Sequence, residues 1–138
     1  INAGLVGSEM CIRDSFILFL SLYIFGITLG LFVSSGLMRY GPSFENIAWS
    51  SLFLLAPLGC IYYPIEILPE FFQVIAKGLP LVYIFDETRN ILINGLVDYE
   101  NIKQAYLLNL VYLIFGIGLF YLSFLRARVK GTLINMGE

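Results

Sequence analysis

Histidine is absent from the 138 residues, and with it go the usual general base, the Ser-His-Asp arrangement and imidazole metal sites. Cysteine is nearly absent. Cys11 and Cys60 lie far apart and neither belongs to a Cys-x-x-Cys pair, so no disulfide framework or metal site is indicated. No GxxxxGK[ST] loop is present, which excludes nucleotide binding by that route. Charge is also scarce, at 13% of residues against about 25% in soluble domains. The net charge of −2 is spread thinly and leaves no basic patch for nucleic acid and no acidic tail. Catalysis by this chain alone is therefore not expected, nor a cofactor, nor a nucleic-acid partner.

What is abundant is apolar side chain: 59% of residues and a mean hydropathy of +0.84, where soluble domains are about 45–50% apolar. That is membrane composition. Ile1–Ser15 stands apart from it, with small, polar and charged residues and none of the basic start, apolar core and cleavage site of a signal peptide. Within it Gly4 to Ser15, GLVGSEMCIRDS, resembles a peptide that arises when sequencing-adapter DNA is translated. The expected organisation is a non-native segment over 1–15 and one membrane domain over 16–138.

Phe16 to Leu37 is free of charge over about 22 residues, roughly 33 Å of helix, enough for a hydrocarbon core of about 30 Å. Gly26 and Gly30 form a GxxxG pair with Ser34 a turn further on, a face that suits close approach within the subunit or between two copies. A polar turn, Met38 to Asn46, follows. Ile47 to Tyr63 is a marginal second span of about 25 Å, with Pro57 and Gly59 in its outer half. Ala105 to Leu125 is a third, in which Asn109 is the one strongly polar side chain and is expected to hydrogen-bond between helices.

Between the second and third spans, Pro64, Pro69 and Pro80 break an apolar stretch that would otherwise cross the bilayer. Pro69 can open a short helix to Lys77, with Gly78 suited to the left-handed position after it. Pro80 can open another ending near Asn94-Gly95. Each is too short to span, so the pair reads as a re-entrant helical hairpin with Phe71, Phe72, Tyr83 and Phe85 as interfacial aromatics. Arg39, Arg126, Arg128 and Lys130 fall on one side. Glu66, Glu70, Asp86, Glu87, Asp98 and Glu100 fall on the other, with Lys77, Arg89 and Lys103. The positive-inside rule then puts the Met38–Asn46 loop and the C-terminus in the cytoplasm and the hairpin outside.

With those residues in order, Leu37-Met38-Arg39-Tyr40-Gly41, Asn46-Ile47-Ala48-Trp49, Phe53-Leu54-Leu55-Ala56-Pro57, Tyr62-Tyr63-Pro64, Leu68-Pro69, Gln73 with Ile75-Ala76, and Leu79 to Phe85, the chain resembles the C-terminal half of a type-2 ATP-binding-cassette (ABC) exporter permease. The family's Glu-Gly-x-Arg close is here Asp86-Glu87-Thr88-Arg89, so Glu87 replaces the glycine. The resemblance implies an all-α membrane protein: spans four to six of a six-span permease plus the outer hairpin, in the inner (cytoplasmic) membrane. It also implies two partners, a second permease subunit and separate cytoplasmic ATPase subunits.

On the same footing, Ser50, Ser51, Tyr62 and Tyr63 are candidates for lining the translocation pathway. Asp86 and Arg89, three apart on a helix, are a candidate charge pair of the outer hairpin. Arg39, Tyr40, Gly41 and Pro42 form the candidate ATPase-coupling loop, although Arg39 could equally anchor the helix end at lipid phosphates. A secondary transporter or channel fragment is the alternative, since broken helices are their habit too. That class calls for charged residues inside the spans, where this sequence has none. A membrane-embedded enzyme has only exposed carboxylates to work with.

Overall fold

The structure, a computed structural model, describes residues 2–131 and, within them, the side chains from residue 12 onward. The described chain is all-helical: α1 (Asn2–Tyr40), α2 (Phe44–Leu58), a 3₁₀ turn (Ile65–Ile67), α3 (Glu70–Lys77), α4 (Pro80–Asn94) and α5 (Tyr99–Lys130). Two of these, α1 from Ile12 and α5, are long and apolar enough to cross a membrane. Both leave large apolar side chains open on their outer faces, among them Phe19, Ile27, Leu110, Phe115 and Leu122. Such a continuous apolar surface is compatible with a membrane protein and costly to leave in water.

These two helices are the frame, and they run parallel. The Tyr106 hydroxyl donates to the Ile17 carbonyl (2.7 Å), Asn109 Nδ2 to Ser21, and Ser123 pairs with Ser35 (2.7 Å), so partner positions rise together along both helices. On α1 the buried side chains are Asp14, Leu18, Ser21, Phe25, Thr28 and Ser35, spaced by three, four or seven as in a coiled-coil seam. Four of them are polar. They face Ala105, Asn109, Gly116 and Ala127 of α5, small or hydrogen-bonding residues of the kind that hold helices together where hydrophobic burial contributes little. At Gly116 an added Cβ would already touch Thr28.

Parallel helices cannot be joined by a tight turn, so residues 41–98 must carry the chain back along the frame. Two half-length helices do this. α2 runs antiparallel to α1: Phe44 seats its ring on Gly36, and Ala48 and Leu52 share a groove with Val33 and Leu37. α4 runs antiparallel to α5, from Gly78, whose carbonyl accepts the Tyr112 hydroxyl (3.0 Å), to Glu87, which meets Asp98 and Asn101. The two halves meet at Gly59, where an added Cβ would crowd Leu81.

Several helix ends differ from the sequence reading. The second apolar helix stops at Leu58 rather than reaching Tyr63, because Pro57 removes an amide donor and Cys60 turns left-handed at φ 55°. Helix α1 is already helical before Phe16 and continues through Tyr40, so the expected Met38–Asn46 loop shrinks to Gly41–Ser43. Gly41 ends α1 at φ 77° with its N–H donated to Leu37. Gly78 is not left-handed (φ −78°); consecutive bonds from Gly78 to Ile75 and Leu79 to Ala76 close α3, and Leu79 then extends into Pro80. Gly95 does take the left-handed position, at φ 63°. Gly26 and Gly30 meet nothing within 4 Å, so their face is not used inside this chain.

Candidate functional site

The break between α2 and α4 is where this fold departs most from a simple helix bundle. Residues 60–80 leave the return path at Gly59 and rejoin it at Leu81, enclosing a small apolar cluster of Cys60, Ala76 and Val82 with Ile65, Leu68 and Leu79 packed against it. Backbone freed by the prolines is recaptured by side chains. The Tyr63 hydroxyl donates to the Pro57 carbonyl (3.0 Å) and Gln73 Nε2 to the Leu68 carbonyl (2.8 Å). The tip of the α3–α4 hairpin, at Gly78, lies beside Tyr112, well inside α5 rather than at its end.

Arg89 clamps the break shut. Its guanidinium donates to the Cys60 carbonyl (3.1 Å) and sits 3.7 Å from the Asp86 carboxylate, so the pair expected from their spacing forms and also ties α4 to the left-handed residue after α2. Asp86 is nearly half exposed, so the ion pair itself contributes little and the carbonyl bond carries the clamp, at about 1 kcal/mol. Arg89→Met should loosen residues 60–68 without unfolding the frame. Limited proteolysis should cut that segment faster in the variant, and equal rates would refute the clamp.

Glu87, the acid next to the Asp86–Arg89 pair, is fully buried. Oε1 accepts the Asp98 N–H (2.6 Å) and Oε2 accepts Asn101 Nδ2 (3.2 Å), while Asp98 in turn caps the Glu100 N–H (3.0 Å). Two carboxylates thus sit at the N-terminus of α5, where the exposed donors and the helix dipole favour negative charge. This corner fixes the angle between α4 and α5.

The four candidate pathway residues are all on or just after α2. Ser50 and Ser51 bond back to the Asn46 and Ala48 carbonyls, Tyr63 braces Pro57, and Tyr62 projects with 82% of its surface exposed. They are not gathered into a single pocket. Around them Trp49, Phe53 and Leu54 are exposed, so α2 presents an apolar surface that the described residues do not cover. At the other end of the frame, Arg39 lies over the Tyr40 ring at 5.5 Å and Tyr40 stacks on Phe44, so ring contacts tie the candidate coupling residues to the start of α2 while Arg39, Tyr40 and Pro42 stay exposed. Among the described residues, no three cysteine or acidic side chains converge on a metal site.

Comparison of the chain with protein-family models, with curated proteins and with solved structures finds no match.

Proposed function

We propose that this chain is the C-terminal membrane half of an ABC exporter permease, a subunit that forms part of a substrate pathway and is driven by a separate ATPase. The discontinuous return path carries the reading: two parallel apolar helices, with a chain between them that comes back as two half-helices and sends a hairpin alongside Tyr112 of α5. In a bilayer this gives an outward-to-inward crossing on α1, a return through α2 with a re-entrant hairpin over α3 and α4, and a final crossing on α5. Irregular backbone within a bilayer is tolerated only where protein covers it, and here Tyr63, Gln73 and Arg89 satisfy it. The ordered residues from Leu37 to Phe85 described above support the same family.

The cationic ends of α1 and α5 lie in the cytoplasm and the acidic hairpin outside. The open face of α2 meets the second permease subunit, with Ser50, Ser51 and Tyr62 toward the pathway and Tyr63 holding the bend. A secondary transporter would use the same kind of break. It would also use a titrating group in the frame; Phe16–Leu37 and Ala105–Leu125 carry no charge and Glu87 is occupied by two hydrogen bonds, which leaves Asp14, buried on α1 just before the charge-free stretch, as the group that reading would call on.

The test is reconstitution into liposomes with spans one to three of such a permease and a separate ABC ATPase. Substrate export should require both additions and ATP, and the isolated chain should be inactive. Transport by the isolated chain, or labelling of cysteines placed at Tyr62 and Arg128 from the same side of the membrane, would overturn the assignment.

A further inference from the structure

A cavity of about 430 Å³ opens between the last turns of α1 and α5, lined by Met38, Arg39, Ser123, Arg126, Ala127 and Lys130. We propose that it binds a phosphate-bearing anion, held by Arg39, Arg126 and Lys130.

The volume lies within the roughly 300–1,000 Å³ of small-molecule sites. Among the described residues three cations and no carboxylate line it, and none of the three is in an ion pair. One plainer explanation is that these cations only neutralise helix C-termini, where positive side chains are favoured. Two helix ends carry about half a negative charge each, so roughly one of the three cations is accounted for and the rest remain as excess. All three are exposed, but surface charge with no common role would be spread around the helix ends. Here Arg39 comes from one helix and Arg126 and Lys130 from the other, four residues apart on one face, and all three line one concavity. Guanidinium groups present the planar donor fork that matches phosphate oxygens, and Ser123 adds a hydroxyl at the cavity wall.

The ligand has two sources of the same chemistry: the headgroup of an anionic phospholipid, or soluble phosphate. Basic pockets between membrane helices suit the first. Only that source rests on α1 and α5 crossing a bilayer, and neither rests on export, so the proposal can stand or fall apart from the transport reading.

The test uses the whole chain and the variants Arg126→Gln and Arg128→Gln. Both remove one positive charge from the same turn, but Arg128 does not line the cavity. In nanodiscs of phosphatidylcholine and phosphatidylglycerol in equal parts, phosphatidylglycerol retained on extraction is counted by native mass spectrometry. In detergent without anionic lipid, the unfolding midpoint is followed with inorganic phosphate against chloride of equal ionic strength.

Retention of phosphatidylglycerol that falls about fivefold in Arg126→Gln and stays unchanged in Arg128→Gln identifies the lipid source. A midpoint raised by phosphate, and lost in Arg126→Gln alone, identifies the soluble one. Equal losses in both variants would mean diffuse surface charge and overturn the site. So would an unfolding midpoint indifferent to phosphate together with no preference for phosphatidylglycerol, including the case in which Arg126→Gln instead releases the ATPase. Should Arg126→Gln fail to fold, the wild-type response to phosphate and to phosphatidylglycerol still decides, with Arg39→Gln and Lys130→Gln in its place.

Discussion

Glu87→Leu should destabilise the folded chain by about 2 kcal/mol. The leucine fills similar space, so the loss is not a cavity. It comes from two part-buried donors, the Asp98 N–H and Asn101 Nδ2, that lose their carboxylate acceptor at the N-terminus of α5. Glu87→Gln sharpens the point. An amide keeps one acceptor oxygen, but its NH₂ then faces a donor, so about half of the loss should persist although size and shape are unchanged. Unfolding in detergent micelles, followed by circular dichroism, measures both. In a Glu87→Leu/Asn101→Ala double variant the total should fall short of the sum of the two losses, because both remove the Asn101–Glu87 bond. A Glu87→Leu chain as stable as wild type would show that water satisfies the corner instead.

Glu87 also marks the limit of what the residue pattern conveys. The helical class, the two long apolar helices and the proline-broken stretch between them are legible in one dimension, because run length, proline and missing charge act locally. The Asp86–Arg89 pair is legible for the same reason, as neighbours three apart on a helix. Glu87 is not, since its partners lie across a chain reversal at Gly95 and nothing in Asp-Glu-Thr-Arg says which acid turns inward. One signal was available for the frame: Ser21, Thr28 and Ser35 recur every seven residues, a small polar stripe that in an apolar helix points to a close partner. Reading it would have singled out Asn109, Gly116 and Ser123 as the facing side, and with them the parallel pairing of α1 and α5. The end of α2 at Leu58 is only half legible: Pro57 and Gly59 mark a weak outer half, but the apolar run through Ile61 to Tyr63 carries no local signal that says where the helix stops.

At the opposite end of the frame, Gly36→Val should separate packing from function. A Cβ at Gly36 overlaps the Phe44 ring, and although the ring tip can swing aside for one methyl, the two branches of valine leave it no seat. Overpacking of this kind costs about 1–3 kcal/mol. Displacing Phe44 also removes the stack on Tyr40, and with it the surface beneath the Arg39 guanidinium. Under the exporter proposal this corner carries the ATPase's closing motion into α1 and α2, which requires packed contacts rather than a flexible link. Gly36→Val should therefore lower both thermal stability and substrate-stimulated ATP hydrolysis in the assembled transporter. Arg39→Ala and Tyr40→Ala should lower hydrolysis with little loss of stability. The decisive variant is Gly36→Val with Phe44→Ala, which restores the space but not the stack: stability should return and stimulated hydrolysis should not. If both return, the corner is a packing feature only, and the ATPase engages the permease elsewhere.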